Sequence, residues 1–344
     1  MKADIFELIR NDLHKKFRVI SGKIFDTQDN EVSQNVLFQR LMMGDLRDIY
    51  NTPIKGSDCE ELLSDLTILG TSDFWPELPL FVQARKLGVL PKDTKLPFPL
   101  DEKQLIIINR LCFHPEDEVM FITTGVGGSG KSTFLNIIKQ LFNNDVSAAS
   151  VSDLSNPFMV AEAVKRRLIA SDELAKGELD SKVLKQLASK QLIEVNPKHL
   201  ASYTVQSQSA LFWCCNKVPK VDCQDSGMLR RVVFYSRNTP IVNPDPSQNK
   251  RKYSEDELLI ILRCALAYED DNWKDAFIDE TRALLINSNS VGKYLIECLN
   301  TPGISDSYDG YLLYCRDNHC KEYGRENYDQ LVDLFKEWLD EYNL

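Results

Sequence analysis

The chain has 344 residues, of which 43% are hydrophobic and 27% are charged, and its formal net charge is −10. This length predicts two or three domains with a buried core, and the acidic balance excludes a protein that coats nucleic acid through overall positive charge. No apolar stretch reaches the roughly 18–20 residues of a membrane span, and the start of the chain is not typical of a signal peptide, so no membrane contact is expected. The nine scattered cysteines predict reduced thiols in an intracellular, non-secreted protein.

The N-terminal part of the sequence predicts a helical region followed by a connector. Apolar residues such as Ile9 and Leu13 recur at helical spacing within residues 1–50. Residues 51–100 contain six prolines, which favour turns and short helices. We therefore expect a helical region with a connector over residues 1–100, ahead of the main core.

A glycine-rich segment at residues 125–133 fits the pattern G-x-x-x-x-G-K-[ST], which is typical of loops that bind the phosphates of a nucleotide. An apolar run before it predicts a buried strand, and residues 134–138 predict the start of a helix, which is the context that the pattern requires. Backbone N–H groups and the positive end of the helix would face the phosphates. Lys131 would reach the β- and γ-phosphates and Ser132 would ligate Mg²⁺, so ATP and Mg²⁺ are the expected cofactors. The predicted nucleotide-binding residues are Gly125, Val126, Gly127, Gly128, Ser129, Gly130, Lys131, Ser132 and Thr133.

Two acidic residues, Asp172 and Glu173, follow an apolar strand predicted at residues 167–171. Acids at the carboxyl end of a strand suit Mg²⁺ ligation and the polarisation of an attacking water. We assign the metal to Asp172 and the water to Glu173, and the reverse assignment stays open. The alternative is that both acids lie on the surface and cap the following helix.

Asn216 ends the apolar strand predicted at residues 210–215. An amide at this position could orient the attacking water and sense the γ-phosphate of the nucleotide. A single asparagine after a strand is more often a turn residue, so this prediction depends on the two preceding motifs and on their order.

Two adjacent arginines, Arg230 and Arg231, precede another apolar strand at residues 232–234. An arginine that one subunit offers to the γ-phosphate bound by its neighbour accelerates hydrolysis by roughly 10³–10⁵. The alternative for one of the pair is an ion pair within its own chain. The first interpretation predicts an oligomer whose active sites are shared between subunits.

Alternating short strands and helices between residues 101 and 240 predict an α/β core with a mostly parallel sheet. Residues 241–284 predict a linker and a helical segment. Residues 285–344 contain three short amphipathic patterns, which fit a small winged-helix-like unit or a helical lid packed on the core. The core is thus predicted to lie between an N-terminal helical region and a small C-terminal helical domain.

The order of these motifs resembles that of superfamily 3 helicases, which are AAA+ ATPases with a P-loop core, and specifically the primase–helicase type of large DNA viruses, phages and plasmids. Four segments carry the resemblance, at residues 125–133, 167–173, 209–219 and 228–234. Residues 184–187 look like the lysine-bearing helix of the family, and residues 196–200 look like its DNA hairpin. Residues 188–190 depart from the family, which commonly has Gly-Gly-Asp where this chain has Ala-Ser-Lys.

The resemblance implies roles for individual residues. Asn216 would be the sensor, and Arg231, which lies closer to the family position than Arg230, would be the finger that reaches the neighbouring subunit. Lys198 and His199 would line the central channel of a hexamer and contact the backbone of one DNA strand. The catalytic residues predicted in this way are Lys131, Asp172, Glu173, Asn216, Arg231 and Arg230, with Ser132 and Asp172 as the ligands of the metal.

The resemblance also implies an ATP-driven ring, most simply a hexamer, that translocates 3′→5′ on single-stranded DNA and unwinds forked duplex during replication of a virus, phage or mobile element. Residues 1–100 would form an oligomerisation collar or contact a primase or an origin-binding partner, in the host cytoplasm. One alternative that stays open is an origin-binding or loading ATPase switch that reads DNA through residues 285–344, with Lys321 and Arg325 as candidate contacts. Another is an AAA+ remodeller of proteins.

Overall fold

The structure describes most of the chain after residue 76 and only scattered residues before it. The computed structural model describes residues 9, 13, 16–20, 23–28, 30–33, 36–37, 62–63, 77–172, 181–196, 203–219, 221–242, 245–301 and 306–341. Much of the predicted region at 1–100 therefore lies outside the described residues. Three predicted site residues also lie outside them, namely Glu173, Lys198 and His199.

A small antiparallel sheet lies in the N-terminal region. It consists of β1 (Phe17–Ile20), β2 (Lys23–Asp26) and β3 (Glu31–Val32), in the order β1-β2-β3. The sequence predicted helices in this region, so the sheet is a difference from that expectation. Val19 of β1 is the register partner of Ile24 in β2, and β-branched residues of this kind favour strands.

A five-stranded parallel sheet forms the centre of the fold. Its strands are β4 (Met120–Gly125), β5 (Val146–Ser147), β6 (Leu168–Ser171), β9 (Ala210–Cys215) and β10 (Val232–Arg237). They lie in the order β10-β4-β9-β6-β5, and every pair of neighbours is parallel, so the carboxyl ends of the strands meet at one edge. The predicted α/β class with a central, mostly parallel sheet is confirmed for the described residues.

Helices cover both faces of this sheet, which explains why β4 and β6 are buried along their whole length. On one face lie α1 (Pro79–Leu87), α2 (Glu102–Phe113), α3 (Lys131–Leu141) and α7 (Glu255–Ala265). On the other lie α4 (Pro157–Ala163), α5 (Ser181–Ala188) and α6 (Ser226–Leu229). Side chains of β4 alternate between the two faces. Phe121 packs in the buried cluster on the first face, and Met120 and Ile122 pack in the cluster on the second. In the part of the chain that the structure describes, no helix is long and apolar enough to cross a bilayer.

An antiparallel pair of strands packs on the second face. It is formed by β7 (Leu192–Val195) and β8 (Tyr203–Gln206). The two strands flank the segment that carries Lys198 and His199. The predicted DNA hairpin at residues 196–200 falls between these two strands in the sequence, and all of it after residue 196 lies outside the described residues.

The C-terminal part of the chain is helical and completes the same core. Its helices are α8 (Asp275–Ser288), α9 (Ser290–Asn300), α10 (Tyr308–Asp317) and α11 (Arg325–Glu341). Tyr311 and Phe335 belong to the buried cluster that contains Met120 of β4, and α8 continues through the predicted boundary at residue 284. All regular elements in the described part of residues 285–344 are helices, which fits a helical lid packed on the core better than a separate winged-helix unit.

Candidate functional site

The glycine-rich segment forms the connection between β4 and α3. β4 ends at Gly125 and α3 begins at Lys131, so residues 126–130 form a loop at the carboxyl edge of the sheet. Gly125 has a φ of 143°, and a Cβ built on it would lie 2.1 Å from the carbonyl oxygen of Arg237 on β10. Gly130 caps the amino end of α3 with a φ of 86°. The loop therefore depends on glycine at both of its ends.

Lys131 is 7% exposed and its ammonium group lies inside the loop. Nζ donates to the carbonyl oxygens of Gly125 at 2.8 Å and Val126 at 2.7 Å. It also donates to Ser129 Oγ at 3.3 Å. Burial is the main cause of a pKa below the ordinary value for Lys131. The ammonium group is thus held by the carbonyl groups of its own loop.

Asp172 and Asn216 reach the same edge of the sheet because each follows a parallel strand. β6 and β9 are neighbours, with Ser171 opposite Trp213, so the residues that follow the two strands lie beside each other. β4 lies on the other side of β9, which places the glycine-rich loop next to both. Asp172 and Asn216 are exposed, so their polar groups are available to a ligand.

A cavity of about 840 Å³ connects these groups. Its lining includes residues 127–133, Asp172 and Asn216. The volume lies within the range of roughly 300–1,000 Å³ that small-molecule sites occupy. The structure therefore brings Lys131 and Ser132 together with the acid and the amide that follow β6 and β9.

The cavity also contains residues that sequence reasoning did not single out. Most come from the proline-rich connector before α2 and from the polar loop after β10. These lining residues are Pro97, Phe98, Pro99, Cys214, Ile241, Asp245, Gln248, Asn249 and Arg251. The sequence identified the two segments only as connector and loop, and neither contains a spacing pattern that could have indicated a site.

Hydrogen bonds fix the segment at residues 241–251 against the glycine-rich loop and α3. The N–H of Ile241 donates to the carbonyl oxygen of Gly128 at 3.0 Å. Thr133 Oγ1 donates to Asn249 Oδ1 at 2.5 Å. Two further amide side chains of α3 donate to the carbonyl oxygen at the end of this segment. The segment is therefore a wall of the cavity that is tied to the helix following the loop.

Cys214 lines the cavity, but its thiol is buried. Sγ donates to the backbone oxygen of Lys131 at 3.7 Å. Burial, assisted by the neighbouring Cys215, raises the pKa of the Cys214 thiol far above its ordinary value. The buried thiol therefore packs against α3, and its raised pKa disfavours the thiolate form.

Arg237 is a second cation beside the loop that sequence reasoning missed. It ends β10, and a Cβ built on Gly130 would lie 3.9 Å from its Nη2. Its Nη1 is 3.7 Å from Asp101 Oδ2, and its side chain is 21% exposed. Arg237 also contributes to the lowered pKa of Lys131. Two basic side chains thus lie at the loop, Lys131 of the sequence motif and Arg237 from β10.

Arg230 and Arg231 lie at the opposite edge of the sheet from the cavity. They precede β10, whose first residue Val232 pairs with Met120, the first residue of β4. The glycine-rich loop follows the last residue of β4, which is a strand of six residues. The two edges are therefore roughly 20 Å apart, and neither arginine lines the cavity of its own chain.

The two arginines differ in exposure and in partners. Arg231 is 5% exposed, and its guanidinium group donates to Glu118 Oε2 at 2.8 Å and to the carbonyl oxygen of Gly227 at 2.5 Å. The Arg230 side chain is 66% exposed and lies 3.7 Å from Glu118 Oε2. The close intrachain ion pair that the sequence left open for one arginine thus falls on Arg231, the residue that the resemblance assigns as the finger. Arg230 is the accessible member of the pair.

Comparison with known proteins gives a family match over part of the chain. A family of unknown function, DUF5906, matches residues 123–231. This range includes the glycine-rich loop, Asp172, Asn216 and both arginines. No curated protein matches the chain.

Three similar solved structures are of the C-terminal region of NrS-1. An A-form apo structure has a TM-score of 0.46 at 12% identity and covers 96% of this chain and 85% of that chain. A second A-form apo structure has a TM-score of 0.46 at 12% identity, with 90% and 85% covered. A further apo structure has a TM-score of 0.48 at 13% identity, with 97% and 86% covered. At these TM-scores the likeness identifies no activity.

Proposed function

We propose that this chain is an ATP-dependent DNA helicase that works as a ring, most simply a hexamer, in the replication of a virus, phage or mobile element. The observation that carries the proposal is the cavity of about 840 Å³, where the glycine-rich loop, Asp172 and Asn216 meet at the carboxyl edge of a parallel sheet. Ligands of open α/β sheets bind at this edge, and a glycine loop before a helix is typical of phosphate sites. The cavity supports nucleotide binding, and the order of the motifs supports the helicase assignment.

Each group of the cavity has a role in nucleotide hydrolysis under this proposal. Backbone N–H groups of residues 127–132 and the positive end of α3 bind the phosphates. Lys131 exchanges its carbonyl partners for oxygens of the β- and γ-phosphates. Asn216 orients the attacking water and senses the γ-phosphate, and Glu173, by its position in the sequence, polarises that water.

The donors at the phosphate end of the cavity also fit Mg²⁺. The Ser132 hydroxyl and the Asp172 carboxylate line the cavity and are exposed, and both are oxygen ligands of the kind that Mg²⁺ prefers. A Mg²⁺ ion held by these two residues would neutralise charge that develops on the phosphate oxygens during hydrolysis. The contribution of the protein would be the two oxygen ligands of Ser132 and Asp172.

The other lining residues suit the nucleoside. Phe98 and Ile241 provide apolar surface, and Gln248 and Asn249 provide amide groups that can bind a base or a ribose. Because the segment at residues 241–251 is bonded to the glycine-rich loop, these groups have a fixed position relative to the phosphates. We expect the selectivity for the base to lie here.

A second subunit can complete the site only if it offers an arginine whose side chain is not held by contacts within its own subunit. The exposed Arg230 meets this condition better than the enclosed Arg231, so we assign the finger to Arg230 and a positioning role to Arg231. A ring closes when each subunit presents its arginine edge to the cavity of the next subunit. Lys198 and His199 would then contact one DNA strand in the central channel.

Strand displacement on a forked DNA duplex with ATP and Mg²⁺ tests this proposal. Wild type is expected to unwind the fork, and Lys131→Ala should lose both hydrolysis and unwinding because the γ-phosphate loses its cation. Lys139→Ala, the same change on the same helix but outside the cavity, is the matched control and should retain both activities. DNA-stimulated hydrolysis without displacement would favour the loading ATPase, and a wild type that hydrolyses no nucleotide would refute the proposal.

A further inference from the structure

A second cavity lies between the C-terminal helices and the core. It has a volume of about 390 Å³ and shares no lining residue with the cavity beside the glycine-rich loop. It is bounded by the start of α9, the end of α10, the connection from α10 to α11, and Val221 of the core. The proposed hydrolysis reaction uses none of these groups.

The lining of this cavity is basic. Lys293, His319 and Lys321 line it, and no carboxylate does. Among the residues that the structure describes, none of the three basic groups lies within ion-pair distance of a carboxylate. The two lysines therefore present uncompensated positive charge to the cavity.

This charge contrasts with the rest of the C-terminal segment. Residues 301–344 carry ten acidic and four basic side chains. Two of those basic residues, Arg325 and Lys336, are paired with Asp329 and Asp306. A basic cavity is thus a local property of this site and does not follow from the composition around it.

Hydrogen bonds hold the walls of the cavity in place. Ser290 Oγ at the start of α9 donates to the carbonyl oxygen of Lys321 at 3.1 Å. The N–H of Tyr323 donates to Tyr311 Oη at 3.1 Å. Asn289 Nδ2 donates to Tyr323 Oη at 3.3 Å. The connection that carries Lys321 is therefore fixed to α9 and α10 before any ligand binds, which lowers the entropic cost of binding.

We propose that this cavity binds the phosphate of a nucleotide, with Lys293 and Lys321 as cationic contacts and His319 as an N–H donor. Ammonium groups form strong, charge-assisted hydrogen bonds with phosphate oxygens. Tyr314 and Tyr323 are half-buried in the lining, and aromatic rings in such positions stack with nucleotide bases. The volume is near the lower end of the range for small-molecule sites, which suits one nucleotide unit, carried either by a nucleic-acid strand or by a free nucleotide.

Two binding assays on the full chain carrying Lys131→Ala test the proposal, because binding at this cavity requires no hydrolysis. One follows the anisotropy of a fluorescent single-stranded oligodeoxynucleotide over a salt series, and the other titrates deoxyadenosine monophosphate by calorimetry. The test variants are Lys293→Glu and Lys321→Glu. Arg316→Glu, an exposed residue of α10 that does not line the cavity, is the charge-matched control. Thermal melts check that all variants fold.

The two probes distinguish the source of the phosphate. If the ligand is a nucleic-acid strand, each cavity variant should bind the oligonucleotide about fivefold more weakly at about 0.1 M salt. The reason is that each phosphate contact releases about 0.7 counterion from a single strand, and the variant loses one such contact. The negative slope of log K against the logarithm of the salt concentration should also become shallower by about 0.7. If the ligand is a free nucleotide, only the calorimetric signal should disappear in the cavity variants.

Either of these results supports the proposed site. Unchanged binding of both probes in both cavity variants would overturn it, and so would equal weakening by Arg316→Glu, since the effect would then follow net charge and not the cavity. Failure of the helicase proposal is a separate result, because absence of nucleotide hydrolysis in wild type leaves these binding measurements unaffected.

Discussion

Replacing Arg231 by alanine should damage the fold before it damages the chemistry. The change removes the donor to the Gly227 carbonyl and the partner of Glu118. An orphaned buried acceptor costs about 1–3 kcal/mol, and breaking a buried ion pair costs about 3–5 kcal/mol. The Glu118 side chain is 50% exposed, so water compensates part of the loss. We therefore expect Arg231→Ala to lower the free energy of unfolding by about 2–3 kcal/mol.

Arg230→Ala should have the opposite profile. The Arg230 side chain is 66% exposed and 3.7 Å from Glu118, an interaction worth at most about 0.5 kcal/mol. Loss of a finger that acts on the neighbouring subunit should slow hydrolysis by roughly 10³–10⁵. Mixing Arg230→Ala with Lys131→Ala subunits should restore part of the activity, because some interfaces in mixed rings combine an intact arginine with an intact loop.

Urea unfolding followed by tryptophan fluorescence, with ATPase rates on the same preparations, measures both effects. Arg231→Lys is an informative third variant, because it keeps the charge but lacks the fork that contacts Glu118 and Gly227 together. It should show intermediate stability with turnover near that of wild type. If Arg231→Ala keeps wild-type stability but loses hydrolysis while Arg230→Ala stays active, the enclosed Arg231 is the finger and Arg230 is not.

Four further substitutions have distinct expected outcomes. Gly125→Ala should lower the free energy of unfolding by about 3 kcal/mol or more, since its Cβ would meet a carbonyl oxygen at 2.1 Å. Gly127→Ala, with no atom within 4 Å of the added Cβ, should melt like wild type in circular dichroism. Asn249→Ala loses the bond to Thr133 and should raise the KM for ATP by about two- to tenfold with little change in kcat; an unchanged KM would count against this wall of the cavity. Burial lowers the pKa of Lys190 from 10.5 to about 8 in the folded chain. Between these two pH values Lys190 is protonated in the unfolded chain but not in the folded chain, so the free energy of unfolding rises with pH. The stability of wild type relative to Lys190→Met should therefore increase over that window, and a constant difference would contradict the lowered pKa.

The parts of the candidate site that the sequence predicts are those set by local order along the chain. The loop at residues 125–133 lies between a buried strand and a helix, and adjacent residues indicate both flanks. Asp172 and Asn216 could be placed together because each follows an apolar strand, and parallel strands end at one edge of a sheet. The order of the strands was not needed for this inference.

The remaining features depend on contacts between distant parts of the chain. Asn249 meets Thr133 across 116 positions, and Arg231 meets Glu118 across 113 positions. A polar loop contains no local signal for the helix that it will contact. In the same way, two adjacent arginines indicate that one of them can form an ion pair within the chain. Only the position of Glu118 in the folded chain shows that the closer pair is formed by Arg231.

The C-terminal helices complete the core, and this determines how the DNA binding proposed for them can be tested. Thr281 and Glu280 of α8 accept backbone N–H groups of β10, from Phe234 at 3.1 Å and from Ser236 at 2.5 Å. Helix α8 thus provides acceptors for backbone N–H groups at the outer edge of strand β10. Truncation after residue 284 would remove the last residues of this helix. Point changes of exposed side chains are therefore the informative test, and deletions are not.

The same contacts connect the two edges of the sheet. Strand β10 begins directly after Arg231 and ends at Arg237 beside the glycine-rich loop. Because α8 holds this strand along its outer edge, the distance between the arginine edge and the cavity edge is fixed within one subunit. In the proposed ring, that fixed distance means that the proposed finger and the cavity of the same subunit move together as one rigid part, so a change at one interface can be transmitted to the next without rearrangement of the core.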